Sequence, residues 1–118
     1  MVSEQASKLH FSSIVIDTHC DSLGFVLDSG EDLGVDKQGR QITLPKMREG
    51  GVTAQFFAAW VDPRVHPLDQ SVRRTLGYID AMKRVCAENP DQIELARTTA
   101  DIRRLKTEGK LAAVLCIE

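Results

Sequence analysis

The chain has 118 residues, 42% of them apolar and 27% charged, and a formal net charge of −2. That is the length of one small domain and the composition of a globular one, with no basic surplus of the kind that binds nucleic acid or anionic membranes. No apolar run approaches the ~20 residues of a membrane-spanning helix.

The first twelve residues are polar and read as a short arm; MVSEQASKLHFSS holds no continuous apolar core of a secretory leader. SSIVID, residues 12 to 17, is short, β-branched and apolar, the pattern of a strand buried on both faces. LGFVLDSGEDLGVDKQGRQ is rich in Gly, Asp and Ser and reads as a helical turn followed by a long loop. In ITLPKMREGG, Pro45 can open a helical turn and Gly50-Gly51 can close it. VTAQFFAAWV, residues 52 to 61, is a second apolar strand that Asp62-Pro63 stops.

From residue 68 to residue 89 the period changes. Val72, Leu76, Ile79, Met82 and Cys86 recur at spacings of three and four, one face of an amphipathic helix, with Arg73 and Arg74 on its solvated side. Asn89-Pro90 ends that helix. IELA is a candidate short strand. Thr98 and Asp101 have the spacing of a capping box for a helix over 99 to 108, and Gly109 is its stop. LAAVLCIE, residues 111 to 118, is a third buried strand.

About three buried strands joined by long crossovers imply a parallel sheet in an α/β protein. In such sheets functional groups gather at the carboxyl ends of the strands. Asp17, His19 and Asp21 stand at the end of the first strand and Glu118 at the end of the last. Residues i and i+2 of a strand share a face, so His19 and Asp21 would project together, with Asp17 one step deeper. Imidazole nitrogen and carboxylate oxygen both ligate zinc; Glu118 could add an oxygen, and Asp17 suits orienting a ligand by hydrogen bond. Residue types alone leave plainer readings open: a strand-end histidine, a turn-capping aspartate, a surface carboxylate. Cys20 alternates with His19 across the strand and reads as a packed thiol rather than a nucleophile. Trp60 could wall a pocket or simply pack. Gln55 and Phe56 read as sheet residues, and His66, between prolines, as a loop histidine.

The segment IDTHCD resembles the N-terminal signature of the membrane (renal) dipeptidase family, peptidase family M19, among the amidohydrolase-like metal-dependent hydrolases. LPKMREGGVTAQFFAAWV, SVRRTLGYIDAMKRVCAENP and EGKLAAVLCIE continue the likeness, in order, from Ile14 to Glu118. Thr18 departs from the glycine usual in the family, a small change at the turn. The resemblance implies the N-terminal portion of a TIM-like (β/α)8 barrel over residues 13 to 118. It implies His19 and Asp21 as ligands of one zinc, Glu118 bridging to a second, and hydrolysis of dipeptides by a hydroxide held between the two ions. A full barrel takes ~250 residues, so the family's remaining ligands and substrate-binding groups would lie beyond Glu118; neither His10 nor His66 matches their motifs. The expected partner is a dipeptide, and a homodimer of the full-length protein is allowed for. Two other readings stay open: a truncated, non-catalytic remnant or interaction fragment, and a metal-dependent hydrolase of another amide, lactone or phosphoester. Cys20, Cys86 and Cys116, odd in number and far apart with no CxxC pair, fit a reducing, cytoplasmic setting.

Overall fold

A computed structural model describes residues 2–118. The first segment is not an extended arm. Ser3 accepts the Ala6 amide at 3.2 Å and starts a helix, α1 (Glu4–Ser12), none of whose residues is buried. Two long-range bonds hold it down. His10 donates Nε2–H to the Gly50 carbonyl at 2.7 Å, and Lys106 donates to the Phe11 carbonyl at 2.8 Å.

The first strand, β1 (Ile16–Cys20), begins four residues later and ends three later than the apolar run predicts. Its start is fixed by Thr53, whose hydroxyl accepts the Val15 amide and whose own amide reaches the Val15 carbonyl at 2.8 Å. It is also not buried on both faces: Ile14 and Ile16 are 39% and 47% exposed, because β1 is the edge of the sheet and no element covers that face among the described residues. After β1 come α2 (Leu23–Ser29), a loop, and α3 (Leu44–Glu49), which Thr43 caps by accepting the Lys46 amide. Gly51 closes α3 at φ 71°. A side chain there would be strained and would press on His10 and Phe11, where a Cβ would lie 2.8 Å from the imidazole.

Next follow β2 (Ala54–Ala59), a 3₁₀ turn at Leu68–Gln70, α4 (Ser71–Glu88), β3 (Ile93–Leu95), α5 (Thr99–Glu108) and β4 (Leu111–Ile117). The four strands are parallel, in the order β1-β2-β4-β3. IELA therefore does form a strand, a fourth one. It pairs only with the first half of β4, from Ile93 opposite Leu111 to Leu95 opposite Ala113, so that edge of β4 is bare from Val114 onward.

One face of the sheet, through Phe57, Ala59, Leu111 and Ala113, packs on Leu23 and Val26 of α2, Leu44 and Met47 of α3, and Tyr78, Ala81, Met82 and Val85 of α4. On the other, Ala54 and Ala112 pack on Leu105 of α5. The buried stripe of α4 is thus not the predicted one. Of the five residues in that prediction only Met82 is fully buried, and Val72 and Leu76 are 74% and 56% exposed. The helix packs closely on α2, where Gly77 faces Leu27 so nearly that a Cβ would lie 3.2 Å from it, and on the sheet. That orientation points Tyr78, Ala81 and Val85 inward and turns Val72 and Leu76 out.

Candidate metal centre

The carboxyl ends of β1, β2 and β4 form one rim, and the polar residues of the sequence signature stand on it. β1 and β4 are separated by β2, so their axes are roughly 9–10 Å apart. His19 and Glu118 have side chains long enough to close that distance, and β2 ends in Ala58 and Ala59, too short to intrude. One ligand atom from each of His19, Asp21 and Glu118 lies within 4.8 Å of the other two. His19 Nε2 is 3.3 Å from Asp21 Oδ2, and His19 Nδ1 is 3.8 Å from Glu118 Oε2. The imidazole thus offers a different nitrogen to each carboxylate. All three side chains are about half exposed.

This donor set fits a divalent cation of the zinc type. Zinc takes imidazole nitrogen and carboxylate oxygen at roughly 2.0–2.2 Å in tetrahedral geometry, which places neighbouring ligand atoms about 3.4 Å apart. The His19–Asp21 separation is close to such an edge. Two carboxylates facing one imidazole also supply the negative charge that a divalent ion would neutralise.

Asp17 does not touch the imidazole ring. Its Oδ1 accepts the backbone amide of His19 at 3.0 Å. The register explains why: Asp17 is opposite Gln55 and Cys20 is opposite Phe57, so three steps on β1 match two on β2 and the strand bulges at Thr18-His19. By register, Asp17 then shares a face with Cys20 rather than with His19, contrary to simple alternation. Gln55, read from sequence as an ordinary sheet residue, is 1% exposed and donates its amide to the Phe56 carbonyl at 3.2 Å and, at 3.5 Å, to that of Asp17. Its Oε1 has no partner among the described residues.

Cys20 is buried, 7% exposed, and burial pushes its thiol pKa up, with the Asp17 and Asp21 carboxylates adding to the shift. That is the opposite of an activated nucleophile. Cys116, donating to the Phe57 carbonyl, is also raised by burial and then by Glu118 and Asp21. Trp60, 37% exposed, lines a cavity that Asp21 also borders, together with His66 and Arg74. Arg74 is not on a solvated face. Its guanidinium is held by Asp28 at 2.5 Å and by the Tyr78 hydroxyl at 3.1 Å. The i, i+4 spacing of Arg74 and Tyr78 carries the sequence signal for this.

A parallel α/β unit with an imidazole and two carboxylates gathered at its carboxyl rim is the layout of a metal-dependent hydrolase. The comparisons with known proteins narrow the class. The family described as membrane dipeptidase (peptidase family M19) matches residues 3–118. Dipeptidase ataJ of Aspergillus terreus is 33% identical over 85 residues, 66% of this chain and 21% of that protein. Among solved structures, the probable dipeptidase PvdM from Pseudomonas aeruginosa superposes with a TM-score of 0.80 at 25% identity, covering 97% of this chain and 30% of that one. A metallo peptidase from Rhodobacter sphaeroides, liganded with a phosphinate mimic of the dipeptide L-Ala-D-Ala, shares the fold with a TM-score of 0.74 at 20% identity, over 89% of this chain and 38% of that one. The chain belongs to the membrane dipeptidase family, M19, a family of metallopeptidases. It spans about a fifth of the curated relative and about a third of these structures, and its fold is that of the N-terminal portion of a TIM-like barrel. No helix among the described residues is long and apolar enough to cross a membrane.

Proposed function

We propose that these 118 residues supply part of the metal centre of a zinc-dependent dipeptidase. In that reading His19 and Asp21 are ligands of one zinc, and Glu118 bridges it to a second. The observation that carries the reading is the convergence of one ligand atom each from His19, Asp21 and Glu118, all within 4.8 Å of one another, at one rim of the sheet. Zinc bound there would supply Lewis acidity and a water ionised near neutral pH, both suited to attack on an amide carbonyl. The chain's own contribution is positioning. The bulge in β1 presents His19, the Asp17 carboxylate fixes the His19 backbone, and the tight β2–β4 ladder delivers Glu118. The remaining ligands and the groups that hold substrate would come from the part of the relatives' length that lies outside these residues. Three unpaired thiols suit a reducing compartment, and we place the protein in the cytoplasm.

The test is the polypeptide encoded by the longest open reading frame containing this sequence. It should purify with two zinc ions per chain and cleave dipeptides in preference to simple esters and phosphoesters. His19→Ala should lose at least one zinc and the activity with it. A His19→Ala protein that keeps both metal and rate would overturn the assignment.

A further inference from the structure

Beside the candidate metal centre, at the end of β2, lies a cavity of about 170 Å³ bordered by Asp21, Gly24, Trp60, Asp62, His66 and Arg74. Gly24 is the unexpected member. It sits in the first turn of α2, where its φ is not positive. A Cβ built on it meets no atom within 4 Å. Neither the backbone nor the packing therefore requires glycine, and glycine is the poorest helix former after proline. What the missing side chain does is leave the wall of the cavity bare, three residues from Asp21.

Of the three carboxylates around the cavity, Asp21 belongs to the candidate metal centre and the other two are already matched. Asp28 is held by Arg74, and Asp62 by Arg64 at 2.8 and 2.9 Å. Both carboxyls stand below their ordinary pKa because of those guanidinium bonds. A charged guest would have to compete with one of these pairs; an uncharged one would not, and the Trp60 ring and Tyr78 give it apolar surface. Space for a guest is adequate, since an apolar cavity of roughly 150 Å³ takes benzene. Reach is adequate too. Neighbouring Cα atoms are about 3.8 Å apart, so a dipeptide with its scissile carbonyl at the His19–Asp21 pair carries a side chain next to Asp21.

We infer that Gly24 is a specificity-determining residue: its bare position keeps room beside Asp21 for a large uncharged substrate side chain, of leucine or phenylalanine size, laid against Trp60. The inference rests on the dipeptidase reading. It is tested in the full-length protein by measuring kcat and KM for dipeptides in which glycine, leucine or phenylalanine occupies either position. The wild type should favour the large side chains. Gly24→Phe should lower the ratio of kcat/KM for large over glycine-containing substrates about tenfold or more, mainly through KM. Trp60→Ala, which deletes the opposite wall, should lower the same ratio, and it carries the comparison if Gly24→Phe fails to fold. A wild type that cleaves no dipeptide overturns the dipeptidase reading and this inference together. A wild type that cleaves dipeptides with a size preference unmoved in the folded variants overturns this inference alone.

Discussion

The carboxylate of Asp17 accepts the backbone amide of His19 at 3.0 Å, inside the bulge of β1. This is an aspartate fixing its own backbone two residues on, a turn-like bond within a strand. Its consequence is orientation. The extra residue breaks the simple alternation, and the bond holds the peptide from which the imidazole projects.

Loss of that acceptor should therefore weaken metal binding without removing a ligand. Asp17→Ala in the full-length protein should lower zinc affinity roughly tenfold to a hundredfold, the usual cost of losing a group that orients a ligand. Asp17→Asn keeps an oxygen in place and should retain most of the affinity. Competition with a chromophoric chelator measures both. Equal affinities for Asp17→Ala and wild type would show that the bulge holds without the bond.

The loop between α2 and α3 makes a second prediction, in pH. Glu31 accepts from Arg40 at 2.8 Å and from Lys37 at 2.8 Å, and these bonds hold its pKa down, from 4.5 to about 2. Arg40 also lies over the Phe25 ring at 3.6 Å. A depressed carboxyl pKa contributes stability that is complete above the unfolded value and is lost as pH falls through the folded value. Thermal stability should accordingly fall between about pH 4.5 and pH 2 on account of this group. Glu31→Gln should lie below wild type at neutral pH and converge on it toward pH 2. Parallel curves for the two proteins across that range would assign the acid sensitivity to other carboxylates.

How much of this could be read from the chain depends on how local each signal is. The capping box of α5 is local. Thr98 accepts the Asp101 amide at 3.1 Å, Asp101 accepts the Thr98 amide at 3.0 Å, and the helix spans the residues the motif predicts, ending at Gly109 with φ 71°. That His19, Asp21 and Glu118 stand on one rim follows from strand patterning, because parallel strands put their carboxyl ends on the same side; that they meet across β2 depends on the strand order and on the small Ala58 and Ala59, which patterning does not give. The bulge in β1 was not legible, since it depends on register against β2. The buried face of α4 was misread for a related reason. Val72 and Leu76 satisfy a helical period, but which face turns inward depends on packing against α2 and the sheet, including the close approach of Gly77 to Leu27. Likewise the partners of Arg74 and the bare wall at Gly24 exist only after tertiary folding.

The same box gives a stability prediction. Thr98→Ala removes the side-chain acceptor for the Asp101 amide and should cost about 1 kcal/mol, the typical loss at a helix N-cap. The denaturation midpoint should shift with an unchanged slope. Leu105, fully buried beneath Ala54 and Ala112, sets the scale for comparison: Leu105→Ala should cost about 2–5 kcal/mol. A Thr98→Ala midpoint that does not move would mean that packing of Leu105 alone holds α5.

Residues 1 to 118 made as an isolated polypeptide should self-associate, and the reason lies where the start of α4 meets the carboxyl end of β4. Val72, Leu76 and Ile117 are 74%, 56% and 74% exposed, and with Val61 and Ile79 they border an open apolar groove of about 490 Å³. Beside it the outer edge of β4 is unpaired from Val114 to Ile117, and β1 forms the other free edge of the sheet. An apolar groove next to bare strand edges is a template for pairing between copies. Metal binding by this polypeptide should be weak as well, because the three donors are half exposed at the rim of a sheet with open edges, and few neighbours hold them in a ligating geometry. Light scattering should therefore report concentration-dependent association, and Val72→Lys with Leu76→Lys should reduce it by placing charge in the groove. A monomeric wild-type polypeptide with a cooperative melt and stoichiometric zinc would show that the groove and the open edges are tolerated and that the three donors are held in a ligating geometry.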